Sequence, residues 1–264
     1  MAKKALCVGI NNYPGTANDL YGCVNDAKDW QVELQKRGYQ VTMLLDSQAT
    51  RQAMVAALQA LVNGGASGDQ LVFTYSGHGS WMPDDDGDEP DGRDELLCPY
   101  DIDSGQYLVD DDLAAIFDAK AQGVNLYFIS DSCHSGTVSK FAPAIAGLPQ
   151  PKLPKPRFLP PGTFLKSERD LGRLRRVALA GKSTRQKYPA LLAAGCQDVQ
   201  LSYDAEFNGG PNGAFTYVAL QALKQSPTAP SDWMNTIRKS LPSPVYPQTP
   251  RLYGSQAAKA GPMF

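Results

Sequence analysis

Leu71-Val72-Phe73-Thr74-Tyr75 runs straight into Ser76-Gly77-His78-Gly79-Ser80, and Leu126-Tyr127-Phe128-Ile129 runs into Ser130-Asp131-Ser132-Cys133-His134-Ser135-Gly136. Each apolar run is short and stops at small polar residues, as a strand buried on both faces does. Working outward from this pair, strands are expected over 4–10, 39–45, 70–75, 124–130 and 189–194. Helices are expected over 23–37, 50–62, 110–119, 213–223 and 231–239. The first helix has apolar positions at Val24, Ala27, Trp30, Val32 and Leu34 and stops at Gly38; the second has capping candidates from Ser47 to Thr50 and closes on Gly64-Gly65. Strands alternating with helices predict an α/β fold, a mostly parallel sheet with helices on both faces. Sites in such sheets lie beyond the carboxyl ends of the strands, so His78 and Cys133 are expected to share one crevice.

The 264 residues carry 25 Lys and Arg against 27 Asp and Glu, a formal charge of −2, which argues against a generally basic nucleic-acid binder. A hydrophobic fraction of 42% supports a real core and excludes disorder throughout. No apolar run reaches the roughly 18 residues of a membrane span, and Met1-Ala-Lys-Lys-Ala-Leu-Cys-Val passes into a strand without a signal-peptide core. The expectation is a cytoplasmic chain with no membrane partner and no room for a prodomain before the first strand. Five cysteines without paired spacing predict reduced thiols rather than a disulfide framework.

The near-neutral total hides two opposed segments. Residues 84–112 hold 13 of the 27 acids with Arg93 as their one base, whereas 139–187 hold 12 Lys and Arg and seven prolines between Pro143 and Pro161. The first reads as a solvated acidic face and the second as a flexible linker or loop. Neither Gly181-Lys182-Ser183, which lacks the earlier glycine of a phosphate loop, nor any Cys-x-x-Cys pair supplies a further motif.

A cysteine attacks a carbonyl as its thiolate, and a nearby imidazole can take the proton. His78 is the better partner for Cys133, because His134 directly follows the cysteine and in extended backbone points the other way. Gly77 and Gly79 let a substrate approach the backbone, and the amides there and at Cys133 are candidate oxyanion donors. Taken alone, the residues also allow an inert buried Cys133 and a turn histidine.

Tyr75-Ser-Gly-His78-Gly and Asp131-Ser-Cys133-His-Ser-Gly136, with the histidine and cysteine 55 positions apart, resemble the two catalytic blocks of the metacaspases, caspase-fold cysteine peptidases. The resemblance extends through 5–10, Leu20-Tyr-Gly-Cys23-Val-Asn-Asp26-Ala27, Leu108-Val-Asp110-Asp111-Asp112-Leu113, Gly213-Ala-Phe-Thr216 and Pro247-Gln-Thr-Pro250, but not through the basic Pro-rich stretch. It implies a caspase-like sandwich with a mostly parallel sheet of about six strands, in one peptidase domain over 1–264. Residues 1–138 would be the large-subunit-like part, 139–187 a linker and 188–264 the small-subunit-like part.

The resemblance further implies His78 as general base and acid, Cys133 as nucleophile, and Gly79 with Cys133 as oxyanion amides. Cys23, Asp26, Ser76 and Asp131 match the pocket for Arg or Lys before the cleaved bond. Protein or peptide substrates are the implied partners, and the oligomeric state is not read. No cofactor is implied as required. Calcium is implied as an activator at Asp94, Asp110 and Asp111, but Lys140 stands where those members carry an Asp and would repel the ion. Two competing readings are a non-catalytic caspase-like binding module and a peptidase cutting after Asp, the latter opposed by the charge of Asp26 and Asp131.

Overall fold

The structure, a computed structural model, describes residues 1–84, 92–134, 154–167, 189–197 and 200–264. Its centre is a six-stranded sheet built from β1 (Lys3–Gly9), β2 (Gln40–Leu45), β3 (Gln70–Ser76), β7 (Asn125–Asp131), β9 (Leu191–Ala194) and β12 (Arg251–Tyr253) in the order β12-β9-β7-β3-β1-β2. Every pairing is parallel except β12 with β9. The expected caspase-like α/β sandwich is thus observed, with β12 as the antiparallel edge.

Side-chain alternation divides the core in two. Leu6, Val8, Leu71, Phe73, Leu126 and Phe128 face one side, where α2 (Arg51–Asn63) buries Met54, Leu58 and Leu61 and α3 (Asp110–Asp118) buries Leu113 and Phe117. Ala5, Cys7, Val72, Tyr127 and Ile129 face the other, against α1 (Cys23–Lys36), α4 (Ala214–Leu223) and α5 (Pro230–Ile237), which contribute Trp30, Phe215 and Trp233. Both faces being covered explains why the strands read as continuous apolar runs. Thr50 caps α2 by accepting from the Ala53 amide at 3.3 Å.

Two small sheets, unforeseen in the sequence, lie at the carboxyl end of the large one. β4 (Gly79–Pro83), β5 (Arg93–Leu97) and β6 (Leu108–Val109) form an antiparallel sheet; β8 (Lys155–Pro156), β10 (Tyr203–Phe207) and β11 (Gly210–Gly213) form the other. A last short helix, α6 (Gln256–Ala260), follows β12.

The described part of the basic stretch is not a solvated linker. Phe158, Leu159, Phe164 and Leu165 are buried, three of them in the core beneath α2 and α3, so 154–167 pack as part of the domain. Of the acidic run, 85–91 lie outside the described residues, as do Gly181-Lys182-Ser183. No disulfide joins any of the five cysteines, all buried. Among the described residues no helix is long and apolar enough to cross a membrane.

Phe73 is fully buried, stacked on Phe128 at 4.9 Å and edge-on to Phe117 at 6.4 Å. Phe73→Ala is expected to cost about 3–5 kcal/mol in urea unfolding, whereas a loss below about 1 kcal/mol would contradict this packing.

Candidate active site

β3 and β7 are neighbours with Ser76 opposite Asp131, so His78 and Cys133, each two residues beyond its strand, emerge side by side at the same level. The His78 ring packs on Tyr13 at 4.7 Å, and the histidine's own amide donates to the Tyr13 hydroxyl at 2.8 Å. Tyr75 donates its hydroxyl to the His78 carbonyl at 2.7 Å. The Asn18 carbonyl lies 2.6 Å from Nε2. A carbonyl only accepts, so the neutral ring carries its proton on Nε2 and leaves the lone pair on Nδ1, which makes no well-aligned hydrogen bond among the described residues and lies near the Arg157 backbone. Burial pushes the imidazole down to about 4, partly offset by the Asn18 carbonyl, and keeps it neutral near pH 7.

The Cys133 thiol is also fully buried. Its Sγ accepts from the Ser202 amide at 2.5 Å and donates to the Ser202 carbonyl at 3.2 Å. Among the described residues no hydrogen bond joins it to His78. The ring nitrogens of His134 face the Ser80 carbonyl and the Ser132 hydroxyl, both at 3.4 Å, rather than Cys133.

The amides of Gly79 and Cys133 converge on a single oxygen, the carbonyl of Arg157, at 3.0 and 3.1 Å. A Cβ at residue 79 would collide with the Cys133 carbonyl, so glycine is needed for this approach. Arg157 in turn donates its amide to the Ser202 carbonyl at 2.9 Å. Its fully buried side chain enters a pocket of three carboxylates. Nη2 meets Asp26 at 2.6 Å and Asp204 at 2.9 Å, and Nη1 meets Asp131 Oδ2 at 3.2 Å.

Each carboxylate is held in place. Asp26, on the first turn of α1, accepts from the Asn212 side chain at 2.9 Å and the Gly213 amide at 3.0 Å. Asp131 accepts from the Ser202 hydroxyl at 2.5 Å and from the Thr216 amide and hydroxyl at 2.9 and 2.8 Å. Asp204 accepts from the amides of Tyr21 and Gly22 at 2.7 and 3.0 Å. Burial pushes Asp26 up to about 6, with Arg157 pulling it down and Asp131 adding to the rise. A Cβ on Gly213 would reach the Asp131 carboxylate and the guanidinium, so this glycine keeps the pocket open.

Of the sequence-identified pocket residues, Asp26 and Asp131 meet the guanidinium directly. Cys23 lies buried at the start of α1, close enough for Arg157 to bear on its thiol, though burial dominates and raises it. Ser76 is buried beside Asp131 and makes no hydrogen bond to the guanidinium. Sequence reasoning missed Asp204, the Asn18 carbonyl and the Ser202 backbone. The only signal for the docked segment was Arg157-Phe158-Leu159, an apolar pair behind a base in a Pro-rich stretch.

The positions named for calcium, Asp94, Asp110 and Asp111, are electrostatic neighbours. Burial, followed by the charges of Glu95 and Asp111, lifts Asp110 to about 8, with Asp94 adding to the rise. Among the described residues no three acidic, imidazole or thiol side chains are grouped to hold a metal ion. Lys140 lies outside the described residues.

A carboxyl titrating near 8 in the fold and near 4 when unfolded makes the native chain bind more protons between those values, so its effect on stability worsens as pH rises through that window. Asp110→Asn removes the charge and should melt higher than wild type by a margin that widens from pH 5 to pH 8.5. A margin independent of pH would contradict a buried, proton-holding Asp110.

Comparison with known proteins agrees with this architecture. The family model for the metacaspase, peptidase C14 domain matches residues 3–142. Metacaspase-1 of Meyerozyma guilliermondii is 34% identical over 96% of this chain and 69% of its own length; Metacaspase-1 of a Cryptococcus neoformans strain is 33% identical over 99% and 64%. A Geobacter sulfurreducens protein of known crystal structure superposes with a TM-score of 0.75 at 32% identity, over 98% of this chain and 97% of its own. With the family model matching more than half of this chain, the chain belongs to the metacaspases, the caspase-fold cysteine peptidases of the C14 family.

Proposed function

We propose that the protein is a cysteine endopeptidase that cleaves after Arg, and less well after Lys, through a Cys133–His78 dyad and a thioester. The observation that carries this reading is Arg157, bound as a substrate residue would be, with its guanidinium among three carboxylates and its carbonyl on two converging amides. The amide of the residue before the cleaved bond would be held by the Ser202 carbonyl, adding the substrate as a strand beside β10.

In this scheme His78 Nδ1 takes the Cys133 proton and Sγ attacks the carbonyl carbon. The Gly79 and Cys133 amides stabilise the oxyanion, one such donor being worth about 2.7–4 kcal/mol. Collapse breaks the C–N bond as His78 returns the proton to the leaving amine. Water, deprotonated by His78, then hydrolyses the thioester and regenerates the thiol. The Asn18 carbonyl keeps the required tautomer in place.

Three carboxylates favour arginine over lysine, since a guanidinium fork meets several acceptors at once while an ammonium is a more strongly hydrated point charge. An aspartate substrate would bring a fourth carboxylate into a buried acidic pocket. The large- and small-subunit-like parts are 1–138 and 188–264, joined by 139–187, where we place self-processing. Of the bases in that stretch, Arg157 and Lys166 lie within the described residues, whereas Arg169, Arg173, Arg175, Arg176, Lys182, Arg185 and Lys187 lie outside them. We assign calcium no step. An odd number of cysteines without paired spacing suits a reducing, cytoplasmic setting.

Fluorogenic peptides that differ only in Arg, Lys, norleucine or Asp before the bond test the reading. Turnover is expected in the order Arg, Lys, norleucine, with none for Asp and none in Cys133→Ala or His78→Ala. Asp131→Asn should lower the Arg-to-norleucine ratio of kcat/KM at least about tenfold, equivalent to 1.4 kcal/mol. The intact mass of the same incubated samples should show a cut in the linker of wild type only. Cleavage after Asp, or activity that survives Cys133→Ala, would contradict the proposal.

A further inference from the structure

We propose that residues 155–159 are an internal plug that holds the resting peptidase shut in the manner of a bound substrate, an inference that rests on the reading of the cleft as an Arg-specific peptidase site. Every recognition element named for a substrate is already taken by this segment. Lys155 and Pro156 pair antiparallel with Asp204 and Tyr203, occupying the strand position beside β10. Arg157 fills the carboxylate pocket and places its carbonyl on the two amides. Beyond it, Phe158 bridges to Gly79, the Leu159 amide donates to the Gly79 carbonyl at 2.9 Å, and the Ser80 hydroxyl donates to the Leu159 carbonyl at 2.6 Å. The segment therefore crosses the cleft continuously, leaving no part of it for a second peptide.

Both ends of the plug are anchored. Upstream, the Lys155 ammonium donates to the Asp19 carbonyl at 3.1 Å and the Tyr21 hydroxyl at 2.8 Å, and lies 4.1 Å from the centre of the Tyr21 ring. Downstream, Phe158 packs with Trp81 and Leu201, and Leu159, Phe164 and Leu165 enter the main core. The proline at 156 favours the extended backbone that pairing requires. A tethered competitor of this kind is present at an effective concentration on the order of millimolar, so a micromolar peptide in solution loses to it.

The docked bond survives because the nucleophile is engaged elsewhere. The thiol proton of Cys133 goes to the Ser202 carbonyl and its sulfur accepts the Ser202 amide, while among the described residues no hydrogen bond joins the sulfur to Nδ1 of His78. The segment is thus posed for recognition with the proton transfer not set up. Activation consists of its withdrawal from the pocket.

Binding measured in a Cys133→Ala background needs no catalysis and separates this proposal from the activity itself. A fluorescent peptide amide ending in Arg is titrated against Cys133→Ala, and against the same chain carrying Arg157→Gln or Arg157→Lys. Removing the guanidinium leaves buried carboxylates without their cation; the lysine variant keeps a charge there and guards against misfolding of the glutamine one. Affinity is expected to rise at least about tenfold with Arg157→Gln and at least about threefold with Arg157→Lys, as release from a tethered competitor requires. In the catalytic chain, the same substitutions should raise the initial rate on Arg peptides. Equal, tight binding by all three folded proteins would overturn the plug and leave the peptidase reading intact. Failure of all three folded proteins to bind would overturn both.

Discussion

The guanidinium of Arg157 among Asp26, Asp131 and Asp204 is the interaction on which this arrangement depends. The three acids come from α1, β7 and β10, elements far apart in sequence, and the cation from a fourth segment. Burying ions is costly, and their mutual attraction offsets the cost only if the remaining lone pairs are also satisfied. Here they are met by Asn212 and Gly213 at Asp26, Ser202 and Thr216 at Asp131, and Tyr21 and Gly22 at Asp204. The pocket is therefore built into the backbone of the domain. Removing the cation alone would leave carboxylates in a dry site, which explains why a cationic side chain occupies it at rest.

The parallel sheet places the chemistry beside that pocket. β3 and β7 end together, so one short step beyond each strand delivers His78 and Cys133 at one level, and Gly79 permits the backbone approach that aims two amides at one oxygen. Asp131 links the two functions, standing on β7 two residues before the thiol while its carboxylate faces the guanidinium. In the proposed reading, recognition and catalysis are thus registered by a single strand. Ser202 serves both as well: its carbonyl receives the Arg157 amide and the Cys133 thiol, which couples occupancy of the cleft to the orientation of the nucleophile.

The strands and helices of the central sandwich were legible because their burial leaves a period or an apolar run behind. β8 and β11 were not, since Lys-Pro and Gly-Pro-Asn-Gly have turn composition and only tertiary pairing makes them strands. His78, Cys133, Gly79, Asp26 and Asp131 could be singled out as residue types with distinctive chemistry at strand ends or helix starts. Asp204 had no such context, and the carbonyls of Asn18 and Ser202 act through the backbone, where side-chain identity is silent. Arg157 was read as one base in a flexible linker, because composition reports the charge of a segment and not the acids it will meet.

Hydrogen exchange tests the central claim most directly. If 155–159 lie in the cleft as described, the amides of Arg157 and Leu159, bonded to the carbonyls of Ser202 and Gly79, are protected in the resting chain together with those of Gly79 and Cys133. Saturation with a peptidyl-arginine aldehyde should then accelerate exchange at Arg157 and Leu159 while Gly79 and Cys133, now donating to the inhibitor, stay protected. Exchange of Arg157 and Leu159 at unstructured-chain rates before any ligand is added would contradict the account.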